Sequence, residues 1–269
     1  MIGILQYDFM QRAFIVSALL SIVMPLIGIV IVNKNISVIG DALSHTSLVG
    51  VMFGVIIGIN PVITSIVICI IASVLIEYLR SKFPGHSSIS TTIVMSFSIG
   101  LASVLTDFVR GGSSIETFLF GSIVAVAEDE LFIVILLCLI VFLFSIYYYR
   151  ELQYISFDEE GARVSGINVK LVNFIFTILT AITIAVGSRT IGVMIISSML
   201  IIPVACAIQL KKSYFQTIVI SSILGFLFMI SGLILSYYLN LKPGGTTIII
   251  ATLTLIVIII FKDNKRILN

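Results

Sequence analysis

Two ionisable residues, Asp41 and His45, stand four positions apart inside the apolar run GDALSHTSLVGVMFGVIIGI. On a helix that spacing puts both side chains on one face, with Cβ atoms roughly 5–6 Å apart. A carboxylate and a neutral imidazole so placed can both reach one divalent cation, and both ligand types suit zinc or manganese. Burying them in hydrocarbon costs a few kcal/mol each, so membrane helices keep such groups chiefly along a solute path. The residues alone leave a second reading open, in which the pair hydrogen-bonds neighbouring Ser and Thr and only fixes helix packing.

The elements that must position this pair are membrane helices. Of the 269 residues, 59% are hydrophobic and only 10% charged, against about a quarter charged in a soluble domain. Apolar blocks near the length that crosses about 30 Å of hydrocarbon recur along the chain. They predict an all-α polytopic bundle with spans near 13–32, 38–59, 62–79, 88–106, 129–149, 171–188, 190–210, 214–238 and 245–261. The stretch 107–128 is apolar only in its second half and reads as a loop with a partly inserted half-helix. No linker divides the chain, so residues 1–269 read as one transmembrane domain, and no cleaved signal peptide is expected.

Basic residues orient the bundle. With the N-terminus outside, eleven of the 15 lysines and arginines face the cytoplasm, among them Lys34, Arg80, Arg150, Lys170 and Lys262. Arg12, Arg110, Arg189 and Lys242 face out. That asymmetry predicts an N-out, C-in topology. Tyr147, Tyr148 and Tyr149 before Arg150, and Tyr237 with Tyr238 at the opposite surface, suit interfacial belts.

The second span also carries Ala42, Thr46, Gly50, Gly54 and Gly58, a ridge of small residues every fourth position beside the Asp41/His45 stripe. Such a ridge admits a neighbouring backbone, which matters where packing holds helices together. Between Arg150 and Lys170 lies the longest polar interruption, RELQYISFDEEGARVSGINVK. Ser156 and Glu159 read as a capping box, Asp158 and Glu159 suit a first helical turn, and Gly166 suits a left-handed end. A helix this short needs something to dock on, either its own membrane domain or a partner.

Absences narrow the class. The chain has no G-x-x-x-x-G-K-[ST] loop, no HExxH and no GxSxG, so it is expected to be neither an ATPase nor a hydrolase. A net charge of +2 without a basic run excludes a nucleic-acid partner. Cys69, Cys138 and Cys206 lie inside apolar blocks and read as buried hydrophobes. His86, alone in the loop RSKFPGH, reads as solvated.

GDALSHTSLVGVMFG, GARVSGI, IGVMIISSMLIIPVACA and KPGGTTIII, in that order along nearly the whole chain, closely resemble the permease subunits of bacterial ABC importers for zinc and manganese. The resemblance implies a homodimer in the plasma membrane, related in architecture to cobalamin and siderophore importers. Two cytoplasmic ATP-binding subunits would hydrolyse ATP, and an extracellular metal-binding protein would deliver the ion. It implies that Asp41 and His45 line the metal path. It also makes the segment near 156–166, with Ser156, Asp158, Glu159, Gly161 and Gly166, the coupling helix seated on the ATPase. No permanently bound cofactor is expected; zinc, manganese or iron would be cargo. Two copies of Asp41 and His45 across a dimer axis would give four ligands. The competing transport reading is a permease for a siderophore, haem or cobalamin chelate, but such a path should be wide and apolar. An intramembrane metalloenzyme would need a third protein ligand and a general base, neither of which stands near the pair.

Overall fold

The computed structural model describes residues 8–83, 86–108 and 128–267, and every regular element among them is a helix. In chain order these are α1 (Asp8–Asn33), α2 (Ile39–Ile57), α3 (Pro61–Lys82), α4 (Ser87–Thr106), α5 (Glu128–Tyr147), α6 (Tyr149–Phe157), α7 (Glu159–Val164), α8 (Val169–Ile191), α9 (Val193–Gln209), α10 (Tyr214–Leu239) and α11 (Pro243–Ile267). The expected half-helix in 107–128 falls almost wholly outside the described residues.

Local chemistry sets the boundaries. Asn60 opens α3 by accepting a hydrogen bond from the Val62 N–H at 2.9 Å, with Pro61 at the first helical position, where its missing N–H costs nothing. Asn168 caps α8 through the Leu171 N–H, and Ser213 with Gln216 forms a reciprocal capping box at α10.

Among the described residues eight helices are long and apolar enough to cross a membrane; the span expected at 190–210 is instead α9, of 17 residues. At 1.5 Å per residue α9 reaches only about 25 Å. It lies against α1, α2, α10 and α11 rather than at the periphery, and Gly192 alone separates it from α8. The break between those two helices therefore comes a few residues later than the apolar pattern suggests.

α2 sits among α3, α4, α8 and α9, with most of its residues buried. In contrast, α4, α5 and α11 turn side chains such as Phe97, Phe132 and Phe261 outward. In a bilayer those faces meet lipid, which solvates them as well as a protein core would. The two ends of the bundle differ in their charges. At one end lie Lys34, Glu77, Arg80, α6, α7 and the start of α8. At the other, Arg189 in the last turn of α8 pairs with Glu130 in the first turn of α5 at 3.0 Å. Arg189 therefore belongs to a helix, not to a loop.

Candidate functional site

Asp41 lies in the first turn of α2, where the helix dipole favours a carboxylate, and His45 follows one turn later. Both side chains are half-buried, whereas Ala42, Leu43 and Ser44 between them and Thr46, Ser47 and Leu48 beyond are buried. Neither Asp41 nor His45 forms a hydrogen bond or ion pair with a described residue. The nearby hydroxyls on the same helix are engaged elsewhere. Thr46 bonds Ser98 of α4 at 2.7 Å and also donates to the Ala42 carbonyl. Ser47 bonds Ser65 of α3 at 2.9 Å and Ser188 of α8. The Ser44 hydroxyl has no partner. The alternative in which Ser and Thr of α2 satisfy the Asp41/His45 pair thus finds no bond to support it.

The ridge of small residues positions this face. A Cβ at Gly50 would collide with the backbone of Ser65, and one at Gly54 with Thr64 and the Pro61 backbone, so α2 and α3 meet nearly backbone to backbone. With α3 and α4 tied to it through Ser65 and Ser98, α2 is held in rotation about its axis. Among the described residues no group of three or more His, Cys, Asp or Glu could hold a metal ion. Asp41 and His45 offer one carboxylate and one imidazole per chain, fewer donor groups than the four that a zinc site usually takes.

The polar segment after α5 folds as two helices, α6 and α7, rather than one. Asp158 breaks them apart in an extended conformation, and its carboxylate accepts a hydrogen bond from the Gly161 N–H at 2.9 Å. Asp158 is thus the cap of α7. Ser156, expected to fill that place with Glu159, is buried inside α6, where its hydroxyl donates to the Gln153 carbonyl at 2.8 Å. The longer reach of Asp158 and its position immediately before the helix explain the shift. Gly161 has no room for a side chain, since a Cβ there would meet the Asp158 carboxylate and the Tyr154 hydroxyl.

Gly166 ends α7 as expected, at φ 85°. The Ile167 N–H reaches back to the Ala162 carbonyl and the Gly166 N–H to that of Arg163, at 3.2 Å each, which is a Schellman closure. Buried Leu152, Ile155 and Ala162 anchor the pair of helices on the bundle, while Phe157 and Val164 are 67% and 90% exposed.

A residue that motif reading missed links this segment to the turn that follows α1. The Lys34 ammonium, at the end of α1, lies 3.2 Å from the Glu159 carboxylate and donates to Asn173 Oδ1 at 3.0 Å. Asn173 Nδ2 donates in turn to Glu159 Oε1 at 3.3 Å. Burial pulls the Lys34 pKa below the ordinary lysine value, against the opposing pull of Glu159. No sequence spacing relates residues 34, 159 and 173, so only their tertiary meeting reveals them.

A family model described as the ABC 3 transport family matches residues 6–262. A probable metal transport system membrane protein of Treponema pallidum is 36% identical over 255 residues, covering 95% of this chain and 96% of its own. The manganese transport system membrane protein MntC of Listeria monocytogenes is 31% identical over 267 residues, covering 99% and 95%. The high-affinity zinc uptake system membrane protein ZnuB of Haemophilus influenzae is 29% identical over 260 residues, covering 96% and 99%. Among solved structures, a chain of PsaBC from Streptococcus pneumoniae in complex with Fab superposes with a TM-score of 0.84 at 26% identity, covering 95% of this chain and 92% of its own. With its helical bundle, its α2 pair and a match along nearly its whole length, the chain belongs to the ABC 3 transport family of membrane permeases.

Proposed function

We propose that this protein is the permease subunit of an ATP-driven importer that carries a divalent transition metal, zinc or manganese, across the bacterial plasma membrane. The names of its relatives support the cargo class. The observation that carries the residue-level reading is the state of Asp41 and His45: one helical turn apart, half-buried, without a side-chain bond to any described residue, and too few to complete a site. A second copy facing the first would bring the count to four. Its carboxylates would offset the charge of the ion, and a site shared by two helices opens or closes with a small rotation of either.

In this reading residues 1–269 serve as one permease domain without an ATPase site, and ATP is used by separate cytoplasmic subunits. The end bearing Lys34, α6 and α7 faces the cytoplasm, with the N-terminus outside. The capped, glycine-terminated α7 is the coupling helix, with exposed Val164 and Phe157 toward the ATPase. An extracellular metal-binding protein supplies the ion.

Proteoliposomes test the reading. Permease with ATPase subunits, ATP and metal-loaded binding protein should accumulate zinc or manganese against a gradient, and permease alone should not. Uphill uptake by the permease alone would overturn it. Gly161→Trp, which displaces the Asp158 cap, should weaken ATPase co-purification while the bundle still inserts. Undiminished assembly would move the ATPase contact away from α7.

A further inference from the structure

Lysine rarely surrenders its water without a bonded partner, and the Lys34 side chain is only 7% exposed. The ring it closes with Glu159 and Asn173 draws one member from each of three elements: the α1–α2 turn, α7 and α8. The turn is stiff. Asn35 takes the left-handed conformation at φ 55°, the Ile36 N–H bonds the Ile31 carbonyl and the Asn35 N–H bonds that of Val32, each at 3.0 Å. Further bonds from the Ile39 N–H to Ile36 and from the Ala42 N–H to Val38 carry the ordered backbone into α2. Seven positions of hydrogen-bonded chain thus join Lys34 to Asp41.

On its other side Glu159 has room and a second basic neighbour. Its side chain is 39% exposed and borders a cavity of about 570 Å³, with Arg80, Arg163, Lys170 and Asn173 also in the wall. Arg163, one turn along α7, stands 4.0 Å from Glu159 Oε1. Glu159 thus holds Lys34 through Oε2 while its Oε1 faces Arg163 of its own helix, so one carboxylate ties α7 to the α1–α2 turn. A hydrogen-bonded side-chain network that joins three elements is a physical route by which displacement of one reaches the others.

We propose that Lys34 is a positioning residue whose bridge to Glu159 and Asn173 hands the movement of α7 to the α1–α2 turn, and so to Asp41 and His45. This rests on the reading of α7 as the ATPase contact. When α7 is pushed or withdrawn, the bridge drags the end of α1 and the start of α2, and Asp41 and His45 shift relative to their copies across the dimer. Lys34 itself touches neither metal nor nucleotide.

The test uses the full permease–ATPase complex in proteoliposomes with metal-loaded binding protein, reading complex assembly, ATP hydrolysis and metal uptake separately. Lys34→Met should assemble and hydrolyse ATP at the basal rate, yet metal moved per ATP should fall about tenfold, the size of an ordinary coupling effect. Lys34→Arg, which keeps the cation, should retain most of the coupling. The exchange Lys34→Glu with Glu159→Lys should restore coupling relative to either single change. Normal transport per ATP in Lys34→Met overturns the inference. So does a fall in melting temperature that accounts for the whole loss, or an exchange variant that recovers melting temperature but not coupling. Failure of the α7 contact is seen elsewhere, as undiminished ATPase assembly of Gly161→Trp, so the two failures are distinguishable.

Discussion

The α2 face and the Lys34–Glu159–Asn173 ring both place charge where water is scarce, yet they resolve it in opposite ways. In the ring each charged group meets a partner from another element, and every hydrogen bond runs between elements rather than along one helix. On α2 the ionisable pair is local, one turn apart, and its side chains bond no other described residue. A satisfied network rigidifies what it joins, whereas an unsatisfied pair held by a rigid helix retains its capacity for a ligand. Buried charge in a membrane protein is thus informative chiefly through what it is bonded to.

The largest expected effect tests that contrast directly. His45→Ala or Asp41→Asn should reduce metal accumulation to background, with expression and melting temperature in detergent held near those of the parent. Since neither residue has a bond to lose, a clear drop in melting temperature without loss of uptake would assign the pair to structure and erase the comparison.

Next comes the support of the α2 face. Gly50→Leu would drive a side chain into the Ser65 backbone, and an overpacked contact of this kind costs about 1–3 kcal/mol. Lowered thermal stability together with weakened uptake is expected, because α2 must step away from α3. Unchanged melting would mean that the two helices are free to slide, and α2 could not then hold its ligands in place.

A smaller loss should follow Asn173→Leu, which removes two hydrogen bonds of the ring but leaves Lys34 and Glu159 paired. Stability should fall by about 1–3 kcal/mol, the combined net worth of two part-buried hydrogen bonds. The pattern should be the reverse of the His45 and Asp41 variants: melting affected first and metal selectivity unchanged. Least of all, Glu130→Gln should shift stability by less than about 1 kcal/mol, since its pair with Arg189 is partly exposed. A larger effect would make the far end of the bundle a second ionic clamp and narrow the difference between the two regions.

Composition and periodicity by themselves determined that the chain is a helical membrane bundle, where most helices lie, and which pair on α2 merits a chemical reading. These features are local: apolar length against bilayer thickness, and a four-residue spacing that stacks side chains on one helical face. The left-handed stop at Gly166 was legible for the same reason. Tertiary structure decided what spacing cannot express. It moved the α7 cap from Ser156 to Asp158, because the break between α6 and α7 depends on Leu152, Ile155 and Ala162 docking on the bundle. It shortened the span after Gly192 to a buried 17-residue helix, because neighbouring helices rather than lipid surround it. Only the folded chain could bring Lys34 to Glu159 and Asn173, since its bonds to residues more than a hundred positions away leave no periodic trace in the sequence.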